Sequence, residues 1–310
     1  MPPRLAPSPG FRLNSGMKQL MRALFCLFCG VASAVAEGEA RSTIPLSVRQ
    51  GGFDGARLYA PVRIGGVLGS MRLDTGASTS RLALAGWNKD FPVLGASASQ
   101  GASGVATQCD DVEIPGIALK ASQGNDIARM RHEATRCPAG EDLLGLNFLR
   151  GARFSLDIAP GELSFFDAAP GDRRPRPFRL LGPEALLGVD ARAGDAAIIG
   201  LFDTGAEICA VDRRFVEKHK KLFVPVAETG AAQDAGGKAL ASKVYKLKKL
   251  DLGEGRVFRD LYVLSYDFGA LREALGGRTS FIFGANLLRK LRWDIDLTTK
   301  DAPSWDAKAK

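Results

Sequence analysis

The chain has 310 residues, room for about two domains, and its 45% apolar content supports packed cores rather than a disordered chain. Its formal charge of +8 (42 Lys and Arg against 34 Asp and Glu) is partly a leader effect. Arg4, Arg12, Lys18 and Arg22 all precede the first acid, Glu37, and without them the balance is 38 against 34; no basic stripe interleaved with aromatics follows, which argues against a nucleic-acid partner.

Residues 1–36 read as an N-terminal extension and signal peptide. Lys18 and Arg22 form a positive n-region, residues 23–32 (ALFCLFCGVA) an apolar run of ten, and Ala32-Ser33-Ala34 or Ala34-Val35-Ala36 a small-residue exit. Met17 fits a true start. Ten apolar residues are too short to cross a bilayer, for which about twenty are needed. An uncleaved anchor of about 16 residues and a mitochondrial leader are the rival readings, and bulky Phe28 argues against lipid attachment at Cys29. Export to the periplasm or the medium is therefore expected.

Residues 37–55 are open between a pro-segment and a first strand. A first lobe is expected over 41–167. Residues 57–64 (RLYAPVRI) and 67–73 flank a Gly65-Gly66 hairpin turn, and Asp74 sits just past the return strand, where Gly76 allows a sharp turn. Residues 97–107 (SASQGASGVAT) predict a mobile hairpin or a loop. Residues 111–119 predict a strand interrupted by a Pro115-Gly116 turn. Leu143-Leu144-Gly145 reads as a buried strand, 147–151 as a short helix ended by Gly, and 153–158 with 162–166 as a hairpin. Residues 168–183 (AAPGDRRPRPFRLLGP) read as a linker with a solvated basic cluster.

A second lobe over 184–300 repeats the plan, leaving 301–310 as a C-terminal tail. Residues 186–192 and 196–202 flank a turn and end at Asp203; 212–222 predict a helix. Residues 229–240 (TGAAQDAGGKAL) take the place of the first Gly-bearing loop. Residues 246–252 and 257–264 predict strands, followed by Ile282-Phe283-Gly284, a helix from Asn286 and a strand from Arg292. Many short strands with Gly and Pro turns argue for an all-β fold with few short helices.

The duplication carries the functional reading. Asp74-Thr75-Gly76-Ala77 recurs as Asp203-Thr204-Gly205-Ala206, 129 residues on. Gly145 aligns with Gly284 at an offset of 139, and the same offset pairs Asn147 with Asn286, Arg153 with Arg292 and Asp157 with Asp296. A lone Asp-Thr-Gly is only a turn, but two in matched settings can face each other across a pseudo-two-fold axis. Two aspartates brought to about 3 Å cannot both ionise, so the pair holds one proton over an acidic-to-neutral range. The ionised member can take a proton from water while the other donates to a carbonyl. Gly76 and Gly205 let the backbone approach and offer amides to the carboxylates, and Thr75 and Thr204 can bond across the axis to lock both loops. This chemistry needs no cofactor and no metal. With only His132 and His219, a His-based zinc site is not expected. Cys109 and Cys137 could bridge in an oxidising compartment or stay as thiols, and Cys209, among apolar neighbours, reads as a core thiol.

These residues resemble the aspartic proteases, and more closely the retroviral-type (retropepsin-like) branch. Residues 58–78 (LYAPVRIGGVLGSMRLDTGAS) look like that family's hairpin and catalytic loop; 143–149 and 282–288 look like its apolar-Gly-helix block. The resemblance implies two retropepsin-like closed β-barrel lobes in a pepsin-like pseudo-two-fold bilobal arrangement, with a peptide or protein substrate held in a cleft under flaps. It places Asp74 and Asp203 as the catalytic pair of an endopeptidase. Ala77 and Ala206 match the retroviral-type loop, where pepsin-like enzymes usually carry Ser or Thr, which implies a less acidic pH optimum. The retroviral enzymes carry acids just after this Ala; here Ser78 and Thr79 stand in one half, Glu207 and Ile208 in the other. Ser78, Thr79 and Glu207, with flap glycines Gly101, Gly104 and Gly236, are the expected substrate contacts. A monomeric pseudo-dimer is expected. The alternatives are a silent peptide-binding module of the same fold and a protease that must homodimerise.

Overall fold

A computed structural model of the chain describes residues 40–168, 174–226, 232–233 and 239–309. The proposed leader, residues 169–173 of the linker and Gly236 lie outside the described residues. The first half contains β1 (Ser42–Pro45), β2 (Ser47–Gln50), β3 (Ala56–Ile64), β4 (Val67–Asp74), β5 (Ser80–Ala83), β6 (Val93–Gln100), β7 (Ala106–Leu119), β8 (Gln123–Gly124), β9 (Ile127–Cys137) and β10 (Leu143–Gly145). A short helix α1 (Leu146–Leu149) and strands β11 (Arg153–Asp157) and β12 (Glu162–Phe166) complete it. The connection holds β13 (Arg176–Pro177) and β14 (Arg179–Leu181). The second half runs β15 (Leu186–Ala193), β16 (Ala196–Phe202), β17 (Cys209–Asp212), α2 (Arg213–Lys218), β18 (Phe223–Pro225), β19 (Ala232–Gln233), β20 (Ala239–Leu240), β21 (Lys243–Asp251) and β22 (Val257–Tyr266). It closes with α3 (Gly269–Ala274), β23 (Phe281–Phe283), α4 (Ala285–Leu288), β24 (Leu291–Asp296) and β25 (Ser304–Ala309).

Each lobe is built on one eight-stranded sheet. The first has the order β2-β3-β4-β10-β5-β9-β7-β6 and the second β14-β15-β16-β23-β17-β22-β21-β18. In both, a long strand also curls back to the first hairpin (β3 with β7, β15 with β21), which gives the sheets their barrel-like closure. The pairing senses repeat as well: β10 lies parallel to β4 and β23 parallel to β16, while β5 runs parallel to β9 and β17 parallel to β22. The alternating strand β3 buries Ala56, Leu58, Ala60, Val62 and Ile64, as a half-exposed strand of period two must.

A third sheet, ordered β13-β25-β24-β11-β12-β1-β8, joins the lobes. In its β11–β24 pair Ser155 stands directly opposite Asp294, and the two side chains are hydrogen-bonded. These residues are separated by the same 139 positions as Gly145 and Gly284, so a local two-fold axis passes between them. Against this sheet Trp293 packs on Phe202 (centroids 5.0 Å apart) and Trp305 (5.3 Å). Trp293 is fully buried and donates its indole N–H to Leu288 O at 2.9 Å; burying a large apolar side chain of this kind stabilises by about 1.5–3 kcal/mol.

Some open readings are decided and some expectations change. Residues 37–55 supply real strands, β1 and β2. Of the two readings left open for residues 97–107, the structure has the hairpin: they supply the arms and tip of β6–β7, turning at Gly101 to Gly104 with a Gly104 N–H to Gly101 O bond of 3.0 Å. Pro115-Gly116 makes no turn: β7 runs through it, paired to β9 on both sides of it. Pairing with β6 ends at Val112 and pairing with β3 begins at Ile117, so Pro115 falls where neither neighbour needs its missing N–H. The expected tail at 301–310 holds β25, which pairs along β24 and buries Trp305, Asp306 and Ala307. The linker's described part contributes β13 and β14 to two sheets. No helix among the described residues is long and apolar enough to cross a membrane.

Candidate active site

Strand β4 ends at Asp74 and β16 stops one residue before Asp203, each running parallel to a short apolar strand that ends at, or just before, a glycine. The chain then folds over that neighbour. Leu146 N–H bonds Ala77 O at 2.8 Å, and Ala285 N–H bonds Ala206 O at 2.8 Å. Asn147 N–H reaches Ser78 O at 3.1 Å, and Asn286 N–H reaches Glu207 O at 3.2 Å. The crossing leaves no space for a side chain: a methyl on Gly145 would lie 2.5 Å from Thr79 C, and one on Gly284 would lie 2.5 Å from Ile208 C. The asparagines finish the clamp, Asn147 Oδ1 accepting from Ser80 N at 3.0 Å and Asn286 Oδ1 from Cys209 N at 2.8 Å.

The two loops meet by reciprocal threonine bonds. Thr75 N–H donates to Thr204 Oγ1 at 3.0 Å, and Thr204 N–H donates to Thr75 Oγ1 at 3.1 Å. Each hydroxyl then donates across the interface, Thr75 to Phe202 O and Thr204 to Leu73 O, both at 2.9 Å. Thr75 and Thr204 are 2% and 0% exposed, so every one of these groups needs its partner.

That grip turns each carboxyl against the opposite loop, where Asp203 meets Gly76 and Asp74 meets Gly205. Asp74 Oδ1 accepts from Gly76 N and Ala77 N, both at 3.0 Å; Asp203 Oδ1 accepts from Gly205 N at 2.8 Å and Ala206 N at 3.1 Å. The glycines are needed by the opposite lobe: a methyl on Gly76 would lie 2.5 Å from Asp203 Cγ, and one on Gly205 would overlap the Asp74 carboxylate. Burial, with the charge of Asp74 next to it, pushes Asp203 up to about 8. Burial pushes Asp74 up as well, opposed first by the charge of Arg72 and then by the loop amides. The pair is thus poised to keep one proton between two carboxyls, the protonation state that water attack on a carbonyl requires.

The other expected contacts fare unevenly. Ser78 and Thr79 lie half-buried on the Asp74 loop, where Ser78 serves α1 through its carbonyl. Glu207 was expected to hold substrate, but its carboxylate is occupied: Arg57 Nε donates to Glu207 Oε1 at 2.5 Å, and its backbone O also accepts from Ala56 N at 3.3 Å. It ties the second lobe to the β2–β3 corner of the first. Gly101 and Gly104 form the β6–β7 tip, and a methyl on Gly104 would lie 2.9 Å from Ala270 Cβ of α3, so the first-lobe hairpin reaches across to the second lobe. Cys109 is bonded to Cys137, joining β7 to β9 at the base of that hairpin. Cys209 is buried, and its Sγ accepts from Gly284 N at 3.4 Å.

Sequence reading missed a charged set beside the pair. Arg72, 9% exposed, donates from Nη1 to Glu141 Oε2 at 2.6 Å and from Nη2 to Gly205 O at 2.5 Å. Tyr59 OH donates to Glu141 Oε1 at 3.1 Å. A buried arginine two residues before Asp74, where the repeat has Leu201, is the signal that could have disclosed it.

No family model matches the chain, and no curated protein matches its sequence. Among solved structures it is similar to an aspartic proteinase from Irpex lacteus, with 14% identity and a TM-score of 0.51 over 86% of this chain and 97% of that one. It is similar to conglutin gamma, a basic 7S globulin of lupine seeds, at 11% identity and TM-score 0.54 over 87% and 96%. Basic 7S globulin from soybean matches at 12% identity and TM-score 0.50 over 86% and 95%. The chain has the bilobal, mostly-strand fold of the pepsin-like aspartic proteinases.

Proposed function

We propose that the protein is an aspartic-type endopeptidase that hydrolyses peptide bonds with water activated between Asp74 and Asp203. The observation that carries this reading is the pair of aspartates on the two reciprocally bonded loops, each Oδ1 held by its own loop amides and each carboxyl set against the opposite loop's glycine. The ionised carboxyl takes a proton from water, and the protonated one donates to the substrate carbonyl as the tetrahedral species forms. Ala77 and Ala206 remove the hydroxyl usual after Asp-Thr-Gly in pepsin-like enzymes, and this supports the retropepsin-like branch and an optimum nearer neutrality. One chain carries both aspartates, so it acts as a monomeric pseudo-dimer without a second subunit. Export to the periplasm or medium rests on the composition of residues 1–36, and the Cys109–Cys137 bond is consistent with an oxidising compartment.

A second reading has one specific support: two proteins sharing the fold are seed globulins by name rather than proteinases. On that reading the cleft binds a peptide without cutting it. Digestion of a peptide library between pH 3 and 8, with and without a statine-type peptide, separates the two. Cleavage that the statine-type peptide blocks is expected. Tight binding of library peptides with no new termini at any pH would establish the binding module instead.

A further inference from the structure

The two hairpins of the sheet that joins the lobes differ in length. Between the paired residues Asp157 and Glu162 the first turn has four residues, 158–161; between Asp296 and Ser304 the second has seven, 297–303. Each turn is tied to a neighbouring segment by a backbone bond, Leu46 N–H to Gly161 O at 2.7 Å and Phe178 N–H to Pro303 O at 2.9 Å. The short turn lies tight, since a methyl on Gly161 would stand 2.6 Å from Leu46 O. The longer turn instead borders a cleft of about 200 Å³, closed on its other sides by α1 and β15. The floor of the cleft is apolar, made by the buried Leu146, Leu187, Leu297 and Pro303. Its lining also holds two cations, half-buried Arg150 and exposed Lys300.

We infer that this cleft is a binding site for a small amphiphilic carboxylate, its apolar body on Leu146, Leu187 and Leu297 and its charge met by Arg150 and Lys300. No acid is among the residues that line the cleft. Of the acids nearest in sequence to Lys300, Asp296 is held by Arg153 Nε at 2.7 Å. Lys300 makes no ion pair among the described residues, and Arg150 is held through Nη2 on two backbone carbonyls, Glu184 O at 2.8 Å and Ala185 O at 3.3 Å. Neither cation is therefore neutralised by a carboxylate of the chain. The repeat shows the contrast: Arg289, which aligns with Arg150 at the 139-residue offset, already donates to Gln50 Oε1 at 2.6 Å. An apolar floor beside unneutralised cations favours an anion with a hydrophobic tail over a neutral or cationic molecule of the same shape. The size sets the class further. The cleft exceeds the roughly 150 Å³ void that takes benzene and falls short of the roughly 300 Å³ at which drug-sized pockets begin, which fits a short acyl chain or one aromatic ring. The site abuts the Asp74 loop through Leu146, whose N–H bonds Ala77 O at 2.8 Å. Binding there needs no catalysis, so it stands or falls apart from the peptidase reading.

The probe is octanoate, titrated into the full chain at pH 7 by calorimetry, with the methyl resonances of 13C-leucine locating the site. One saturable site is expected, with a Kd on the order of 1 mM or tighter, and the shifting methyls should be those of Leu146, Leu187 and Leu297. Octylamine, which carries the same tail and the opposite charge, should not bind, and octanol should bind more weakly than octanoate. Lys300→Glu turns an attraction into a repulsion at an exposed position and is expected to weaken octanoate about tenfold, while Lys300→Arg keeps the charge and should stay within a few fold. Absence of saturable binding would overturn the proposal. So would shifts confined to leucines outside the cleft, or an affinity indifferent both to the probe's charge and to Lys300→Glu, which would mark unspecific apolar adsorption. Should Lys300→Glu not fold, the octanoate, octanol and octylamine series on the wild type decides the same question.

Discussion

The two lobes share their backbone and differ in the side chains behind it. Strand order, pairing sense, the Asp-Thr-Gly-Ala loops, the glycine crossings and the asparagine clamps all repeat. Behind the first loop, Ser80 Oγ accepts from Gly145 N at 3.0 Å and bonds His132 Nε2 at 2.8 Å. Behind the second, Cys209 Sγ does the same service for Gly284 N at 3.4 Å. Strand register places Leu261 where the first lobe has His132, since Ser80 pairs with Ala134 and Cys209 with Val263. Arg72 likewise becomes Leu201. The lesson is that backbone hydrogen bonds define the site, and any buried group that fills the space and accepts one amide can sit behind it. The first lobe uses polar groups there, which adds charge and pH sensitivity that the second lobe lacks.

The comparison can be broken at its shared parts first. Asp74→Asn or Asp203→Asn is expected to lower cleavage by on the order of 10³-fold, because an amide cannot share the proton. Equal losses from both would show that the lobes contribute as a unit. The same change should stabilise. Asp203 is pushed up to about 8, so its protonated form favours folding fully below about pH 4 and that benefit is lost as pH rises towards 8. Asn cannot ionise, so the gain in melting temperature of Asp203→Asn should be larger at pH 8 than at pH 4. Gly205→Ala should cost about 10²-fold in kcat/KM through displacement of the Asp74 carboxylate, with Gly76→Ala acting on Asp203 in the same way.

Smaller effects sharpen the symmetry. Thr75→Val and Thr204→Val each strand the other threonine's amide and a carbonyl in a buried setting, a loss of about 1–3 kcal/mol for each unsatisfied group. Denaturant titration should find the two variants alike; a large difference would mean the grip is one-sided. The smallest expected effect comes from making the first lobe imitate the second with Ser80→Cys and His132→Leu together. Burial, aided by Arg129, holds His132 down to about 4, so its neutral form contributes fully above about pH 6.5 and that stability fades as pH falls towards 4. The double variant should therefore unfold at lower pH than the wild type in an acid titration followed by tryptophan fluorescence.

The parts legible in sequence were those with local causes. Period-two burial marked β3, and the twofold Asp-Thr-Gly-Ala and apolar-Gly-x-Asn runs marked the loops and the strands under them. Each owes its form to neighbours within a few positions. The parts that were not legible depend on registers between distant strands. Glu207 looks free until β3 brings Arg57 to it. The small residues at 97–107 left a hairpin and a loop both open, and it is the pairing of β6 with β7 that decides for the hairpin. Pro115-Gly116 reads as a turn unless the sheet is known to exchange neighbours there. In the C-terminal segment, Trp305 and Ala307 face a core that forms from both halves, while Asp306 is satisfied by Arg256 at 3.1 Å.

The most direct measurement is kcat/KM for one cleaved peptide from pH 3 to 10. A bell is expected, with its alkaline limb near 8 where Asp203 loses the shared proton. Hydrolysis that continues undiminished once both carboxyls are ionised, or that survives in Asp203→Asn, would contradict the single-proton pair as the source of the chemistry.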